Sequence, residues 1–242
     1  MYKKYKKIDF IKYLNVSDIY SPYPTKKKIP DWYKKTGLDD YKKNILDKEN
    51  SRTIKNCIPI LDSLTSGYII TTFCDIYIFQ ETINNPNNKE KKDIILPETP
   101  NKNAIKAIEF HEKYQANNHP LFNNKKIPKF MNAWGIKTPP GYSCLFINPM
   151  NNSSKDFSII EGIVDTDGYN APVNFPFIFN DSNFNGLIPA GTPIAQIIPF
   201  KRDSWNMEIE NNNLKARNTI LSIDSLFINK YKKIFWSKKE YN

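Results

Sequence analysis

The chain has little of what builds a disulfide frame, a zinc site or a membrane span. Its three cysteines, Cys57, Cys74 and Cys144, are odd in number, far apart and free of any CxxC pair. That spacing predicts reduced, buried thiols rather than a disulfide scaffold or a structural metal. No stretch reaches the 18 or so uninterrupted apolar residues of a spanning helix, so no membrane partner is expected. The start, MYKKYKKIDFIKYL, lacks an apolar stretch followed by small residues, so no secretory leader is read there and an intracellular protein is expected.

What is present is a hydrophobic content of 40%, with 14% aromatic, over 242 residues. That is ample for the core of one large domain, with a second possible. The net charge of +10 invites a nucleic-acid reading, but its distribution argues otherwise. Residues 1–50 carry 13 Lys against 7 Asp/Glu, and residues 211–242 carry 7 Lys/Arg against 2. The stretch between carries 15 against 16. The basic character therefore belongs to the two ends. Such ends can hold phosphate or an acidic partner. Lys, Asn and Ile are abundant throughout, however, as an AT-rich genome would produce, and solvated lysines are the favoured reading.

Three segments follow from pattern. Residues 1–50 mix Lys, Tyr and Pro into a basic N-terminal arm in which the prolines break any long helix, leaving one helical turn at Asp31–Lys35. Residues 51–210 read as a β domain, entered through a short helix over 53–67 that ends at Gly67 and carries Pro59 early. YIITTFCDIYIF, residues 68–79, reads as one strand, and the Asn-, Lys- and Pro-rich residues 84–103 as a surface loop. From Ala104 onward, short apolar runs recur every 8 to 15 residues with Pro, Gly and Asn between them. This spacing predicts a mainly β, antiparallel barrel or jelly roll with strands at 142–148, 158–164, 173–179 and 193–199. Phe175, Phe177 and Phe179 alternate along one strand face, a pattern that predicts core rather than a base-stacking platform. Residues 211–242 place Leu214, Ile220, Leu221, Leu226, Phe227, Tyr231 and Ile234 near helical spacing, which predicts a C-terminal helical arm.

Two constellations carry possible chemistry. GIVDTDGY, residues 162–169, sets Asp165 and Asp167 two apart before Tyr169. Ordinary turn chemistry, with the carboxylates bonded to nearby amides, is the favoured reading of the pair. Both histidines, His111 and His119, fall in IEFHEKYQANNHP beside Glu109, Glu112 and Gln115. If they converged they would make a nitrogen and oxygen metal site, but their spacing matches no HxxxH, HExxH or facial-triad pattern.

GIVDTDGY, IPAGTPIAQIIPFKR (188–202), TPPGYSCLFINP (138–149) and TSGYIITTFCDIYI (65–78) together resemble, in order and spacing, four blocks of the dUTPase and dCTP deaminase superfamily. The wording of KTPPGYS and AGTPIAQIIPFKR is also similar to an uncharacterised family of phage and bacterial proteins. The resemblance implies a β-clip, dUTPase-like jelly roll, a trimer with sites between subunits, and a phage or viral source with the host cytoplasm or the virion as location. It also implies that Asp165 would orient the attacking water, Tyr169 would pack on the deoxyribose and Gln196 would lie on the phosphate side, with Mg²⁺ as cofactor.

Departures from the pattern limit that activity. Where the family sets Arg-Ser-Ser/Gly for the phosphates, this chain has NPMNNSSKDF, offering Ser153, Ser154 and Lys155 without an arginine. Where the family closes a glycine-rich tail over the triphosphate, this chain ends IFWSKKEYN, with no glycine to bring backbone amides close. Gly168 also sits between Asp167 and Tyr169 and would shift the ring. The expectation is therefore a phage or viral structural or assembly protein on a dUTPase-like fold, self-associating and meeting other virion proteins through its basic ends. The alternatives are a Mg-dependent nucleotide hydrolase or deaminase and a metal-dependent jelly-roll enzyme.

Overall fold

Short runs of β-branched and aromatic residues broken by Pro, Gly and Asn favour paired strands over helices, and the computed structural model is mainly antiparallel β with few helices. It describes residues 6–38, 53–84, 91–98, 106–116, 118–122, 126–211, 213–224 and 231–242. The first half contains β1 (Asp9–Lys12), β2 (Tyr23–Pro24), α1 (Asp31–Lys35), α2 (Ile58–Thr65), β3 (Tyr68–Thr71), β4 (Ile76–Asn84), β5 (Lys91–Glu98) and β6 (Ile108–His111). The second contains β7 (Ile127–Phe130), β8 (Trp134–Lys137), β9 (Tyr142–Ile147), β10 (Phe157–Ile159), β11 (Gly162–Val164), β12 (Phe175–Phe179), β13 (Gly186–Ile188), β14 (Pro193–Lys201) and α3 (Leu214–Asp224).

The chain divides into two compact units, one of Met1–Pro24 with Gly67–Lys201 and one of Thr25–Ser66 with Arg202–Asn242. The first is the β unit. Its largest sheet runs β11-β9-β14-β3-β2, and a second runs β10-β12-β7-β6. A smaller sheet, β13-β4-β5, and the pair β1-β8 complete it. Among the described residues every pairing is antiparallel.

Alternation on β12 does what its spacing predicts. Phe175 and Phe177 are buried and Phe179 packs against the same cluster. Phe177 stacks on Phe130 of β7 with ring centroids 4.0 Å apart, and Phe157 of β10 meets Phe130 edge-on at 4.8 Å. Ile70, Ile76, Ile78, Phe146, Ile194 and Ile197 extend this core across the other strands. Strand β3, between β14 and β2, is buried along its whole length. Gly67 starts it at φ +73°, where an added Cβ would lie 2.1 Å from the Ile197 carbonyl oxygen, so both the conformation and the close approach require glycine.

Four sequence expectations are corrected. Residues 68–79 are two strands, because Thr72–Asp75 is drawn into a turn: the Thr72 amide donates to the Thr192 carbonyl and the Asp75 carboxylate accepts from the Ala190 amide. Residues 158–164 also split. β10 pairs with β12 whereas β11 pairs with β9, and the break falls where the Ile160 amide donates to the Pro176 carbonyl. Within the expected 84–103 loop, Lys91–Glu98 forms β5 against β4; residues 85–90 and 99–103 lie outside the described residues. The thiols are all free, but Cys144 alone is buried, Cys74 is half-buried and Cys57 is exposed.

The second unit holds α1, α2 and α3. Pro59 sits in the first turn of α2, where a missing N–H costs nothing. Asn213 caps α3 by accepting from the Ala216 amide at 3.1 Å. The helix ends at Asp224, a π-turn follows at Tyr231–Phe235, and Leu226 and Phe227 lie outside the described residues. Asp62 of α2 fastens the C-terminal tail, accepting from Trp236 Nε1 at 3.0 Å and from Lys239 Nζ at 2.6 Å. Among the described residues no helix is long and apolar enough to cross a membrane.

Candidate functional site

The register of β11 on β9 sets the DTD turn against the Pro-Gly turn that opens β9, since Val164 pairs with Cys144. One step beyond that pair, the Ser143 hydroxyl donates to Asp165 Oδ1 at 2.6 Å. Asp167 Oδ2 accepts from the Gly141 amide at 2.8 Å. Between them, the buried Thr166 shares a hydroxyl bond of 2.8 Å with Thr138 and donates to Cys144 Sγ at 3.3 Å. The turn is closed on its own backbone by the Gly168 and Tyr169 amides, both donating to the Asp165 carbonyl. Gly141, at φ +82°, lets the facing turn present its amide to Asp167. The D-T-D run thus works as a three-point clasp on residues 138–143.

The electrostatics of this corner are set by burial. Cys144 is pushed up to about 11 by desolvation, with the Thr166 hydrogen bond acting weakly the other way, so it is a neutral thiol at physiological pH. Asp165 itself is exposed and Tyr169 is 52% exposed. Lys201 pairs with Tyr142 on the far side of β9, and Lys6 Nζ lies 4.5 Å from the centre of the Tyr142 ring.

Gln196 is the most deeply placed of the candidates. It sits wholly buried on β14, and its side-chain oxygen accepts from the Met150 amide at 2.8 Å. It therefore holds the turn after β9 from the inside. The stretch where the resemblance places the phosphate-binding motif is likewise bonded to its own backbone. Ser153 donates to the Pro149 carbonyl, Ser154 accepts from the Asp156 amide, and the Ser154 and Lys155 carbonyls accept from Asn180.

The histidine and glutamate constellation does not come together. Glu109 pairs with Lys129 and Glu112 with Lys126. His111 faces Gln115 at 3.3 Å, whereas His119 accepts from the Leu121 amide and lies against Phe122. Among the described residues no three His, Cys, Asp or Glu side chains are placed to hold a metal ion. Nearby lysines neutralise the carboxylates, and the imidazoles are turned to separate partners.

Sequence reasoning missed a second polar clasp, in which Thr72 and Asp75 take the amides of Ala190, Gly191 and Thr192. It also missed the exposed apolar residues after β14, where Trp205, Met207 and Ile209 lie outside every helix and strand. Their alternation was a readable strand signal. No protein-family model matches this sequence, and no curated protein matches it.

Proposed function

We propose that this protein is a non-catalytic, self-associating structural or assembly component of a phage or virus, built on a dUTPase-like jelly roll or β-clip that has given up its phosphate-binding motifs. The observation that carries the reading is Gln196. The residue the resemblance would set beside a phosphate is wholly buried and bonded to the Met150 amide, and Asp165 and Asp167 are bonded across the neighbouring turn. A catalytic base must reach its water beside groups that fix the substrate. The chain's serines that would stand in for such groups are engaged with backbone.

The fold likeness draws support from the sheet order. All four blocks of the resemblance supply strands of one sheet, β11, β9, β14 and β3. In this reading the subunits form a trimer, as the resemblance implies, and the basic ends meet neighbouring proteins rather than nucleic acid. One feature favours the second reading, a Mg-dependent nucleotide hydrolase: the half-exposed Tyr169 follows a carboxylate that sits one strand from the basic end of β14.

The test is pyrophosphate release from dUTP and dCTP with Mg²⁺, by wild type and Asp165→Asn, together with thermal shift at saturating nucleotide. Background release and no shift are expected. Turnover near the ~10 s⁻¹ of ordinary enzymes, abolished by Asp165→Asn, would overturn the structural reading. Light scattering checks the trimer.

A further inference from the structure

The stretch after β14, RDSWNMEIEN over residues 202–211, runs without helix or strand and is exposed throughout. Trp205, Met207 and Ile209 are 91%, 84% and 79% exposed. In an extended chain, residues two apart share a face. Drawn out as a strand, this stretch sets Trp205, Met207 and Ile209 on one face and Asn206, Glu208 and Glu210 on the other. A segment of that alternation, with its apolar side chains in water and its backbone outside any sheet, is a template for pairing with another chain.

We propose that residues 203–211 pair antiparallel with the same residues of a second copy of this chain, about a two-fold axis through Met207. The sequence is self-complementary in that register. Trp205 falls opposite Ile209 twice, with Met207 opposite its own copy between them, giving an apolar stripe of residue types enriched in interface cores. Asp203 falls opposite Asn211, Ser204 opposite Glu210 and Asn206 opposite Glu208, so no carboxylate faces another. A shift by two residues to a centre at Asn206 or Glu208 breaks this. Centring on Glu208 sets the two copies of that carboxylate directly opposite, and centring on Asn206 leaves Asp203 facing Ile209 and Trp205 facing Met207. Such a contact is isologous and closes on itself. It joins two subunits, or two of the trimers expected above, without altering either. The inference rests on the self-association in the proposed function and not on the fold likeness.

The experiment uses the full chain in a Cys57→Ser background, which removes the one exposed thiol. Cys74 and Cys144, both pushed up to about 11 mainly by burial, stay protonated at neutral pH and contribute little to oxidation. Residues directly opposite on antiparallel strands lie about 4.5–5.5 Å apart at Cα, within disulfide reach, whereas diagonal neighbours lie at about 7–8 Å, beyond it. Met207→Cys should therefore cross-link to a dimer under mild oxidation, and Asn206→Cys about fivefold less or worse. In light scattering, Trp205→Ser with Ile209→Ser should raise the concentration at which the protein associates by about tenfold or more. Measured below the concentration at which wild type associates, its thermal midpoint should match wild type, because these side chains are in water in the single subunit. Equal cross-linking at 206 and 207, with association unaffected by the double substitution, overturns this seam and leaves self-association standing. A wild type that is monomeric up to about 100 μM, a concentration that weak standard interfaces still register, overturns both.

Discussion

The β unit buries Phe130, Phe157, Phe175 and Phe177 against one another beneath paired strands and closes its turns with short polar side chains. The second unit, among the described residues, buries Tyr33, Ile58 and Leu64 as its large apolar side chains and fastens its tail through one carboxylate, Asp62. Charge follows the same division, with 17 Lys/Arg against 14 Asp/Glu in the first unit and 18 against 11 in the second. Burial of apolar area is not weakened by ionic screening, whereas an ion pair at a partly exposed site is. The β unit should therefore carry most of the stability, and the second unit should be the part that ionic conditions loosen.

The largest expected effect breaks the first half of that contrast. Phe177→Ala leaves a cavity where three aromatic rings meet and should cost about 3–5 kcal/mol in denaturant unfolding. A loss below about 1 kcal/mol would show that the phenylalanine cluster is not the keystone. The next tests the second half. Asp62→Asn removes the charge that holds Trp236 and Lys239, bonds of a kind worth about 1–2 kcal/mol together at a partly exposed site. Amide exchange in residues 231–242 should accelerate about 5- to 30-fold with the β unit unchanged, and high salt should bring wild type toward the variant. Spread of that effect into β9 or β14 would mean the two units do not differ as described.

The smallest effect sharpens the comparison through pH. Cys144 and Cys74 are both raised to about 11, chiefly by burial. Each therefore holds its proton more tightly folded than unfolded. Their contribution to stability is complete below pH 9, the ordinary thiol value, and is lost as pH climbs toward 11. The β unit should lose stability over that window. Cys144→Ala should flatten the slope without removing it, since Tyr23 is shifted upward by burial as well. An identical slope in the variant would sink the assignment.

Much of this architecture was legible because alternation and burial agree. The Phe175, Phe177 and Phe179 stripe, β9 and the body of β14 follow from apolar spacing alone. So does α1, whose start is fixed by Pro30. What was not legible are the places where a side chain overrides the pattern. IIEGIV looks like one run, but Asn148 takes both the amide and the carbonyl of Ile159, and the chain changes sheets at the next residue. Lys91–Glu98 hid in an Asn- and Lys-rich composition although IIL within it is apolar. In the candidate site, Asp167 takes the Gly141 amide, as turn chemistry leads one to expect, whereas Asp165 takes the Ser143 hydroxyl of the neighbouring strand. Gln196, by contrast, could be located only by the burial of β14. The histidines and glutamates needed coordinates, because spacing alone does not reveal which lysine claims each carboxylate.

The strand order also bears on how the chain is made. β14 lies between β9 and β3 in the largest sheet, yet among the described residues it is the last β strand to be synthesised. β3 leaves the ribosome about 120 residues earlier, which at typical elongation rates is roughly 6–24 s. Throughout that interval the nascent chain carries Ile69 and Ile70 without the neighbour that will cover them. Truncation anywhere before Pro193 leaves the same gap for good. The centre of this sheet is thus a late arrival, and its two flanking strands wait for it with their inner edges unpaired.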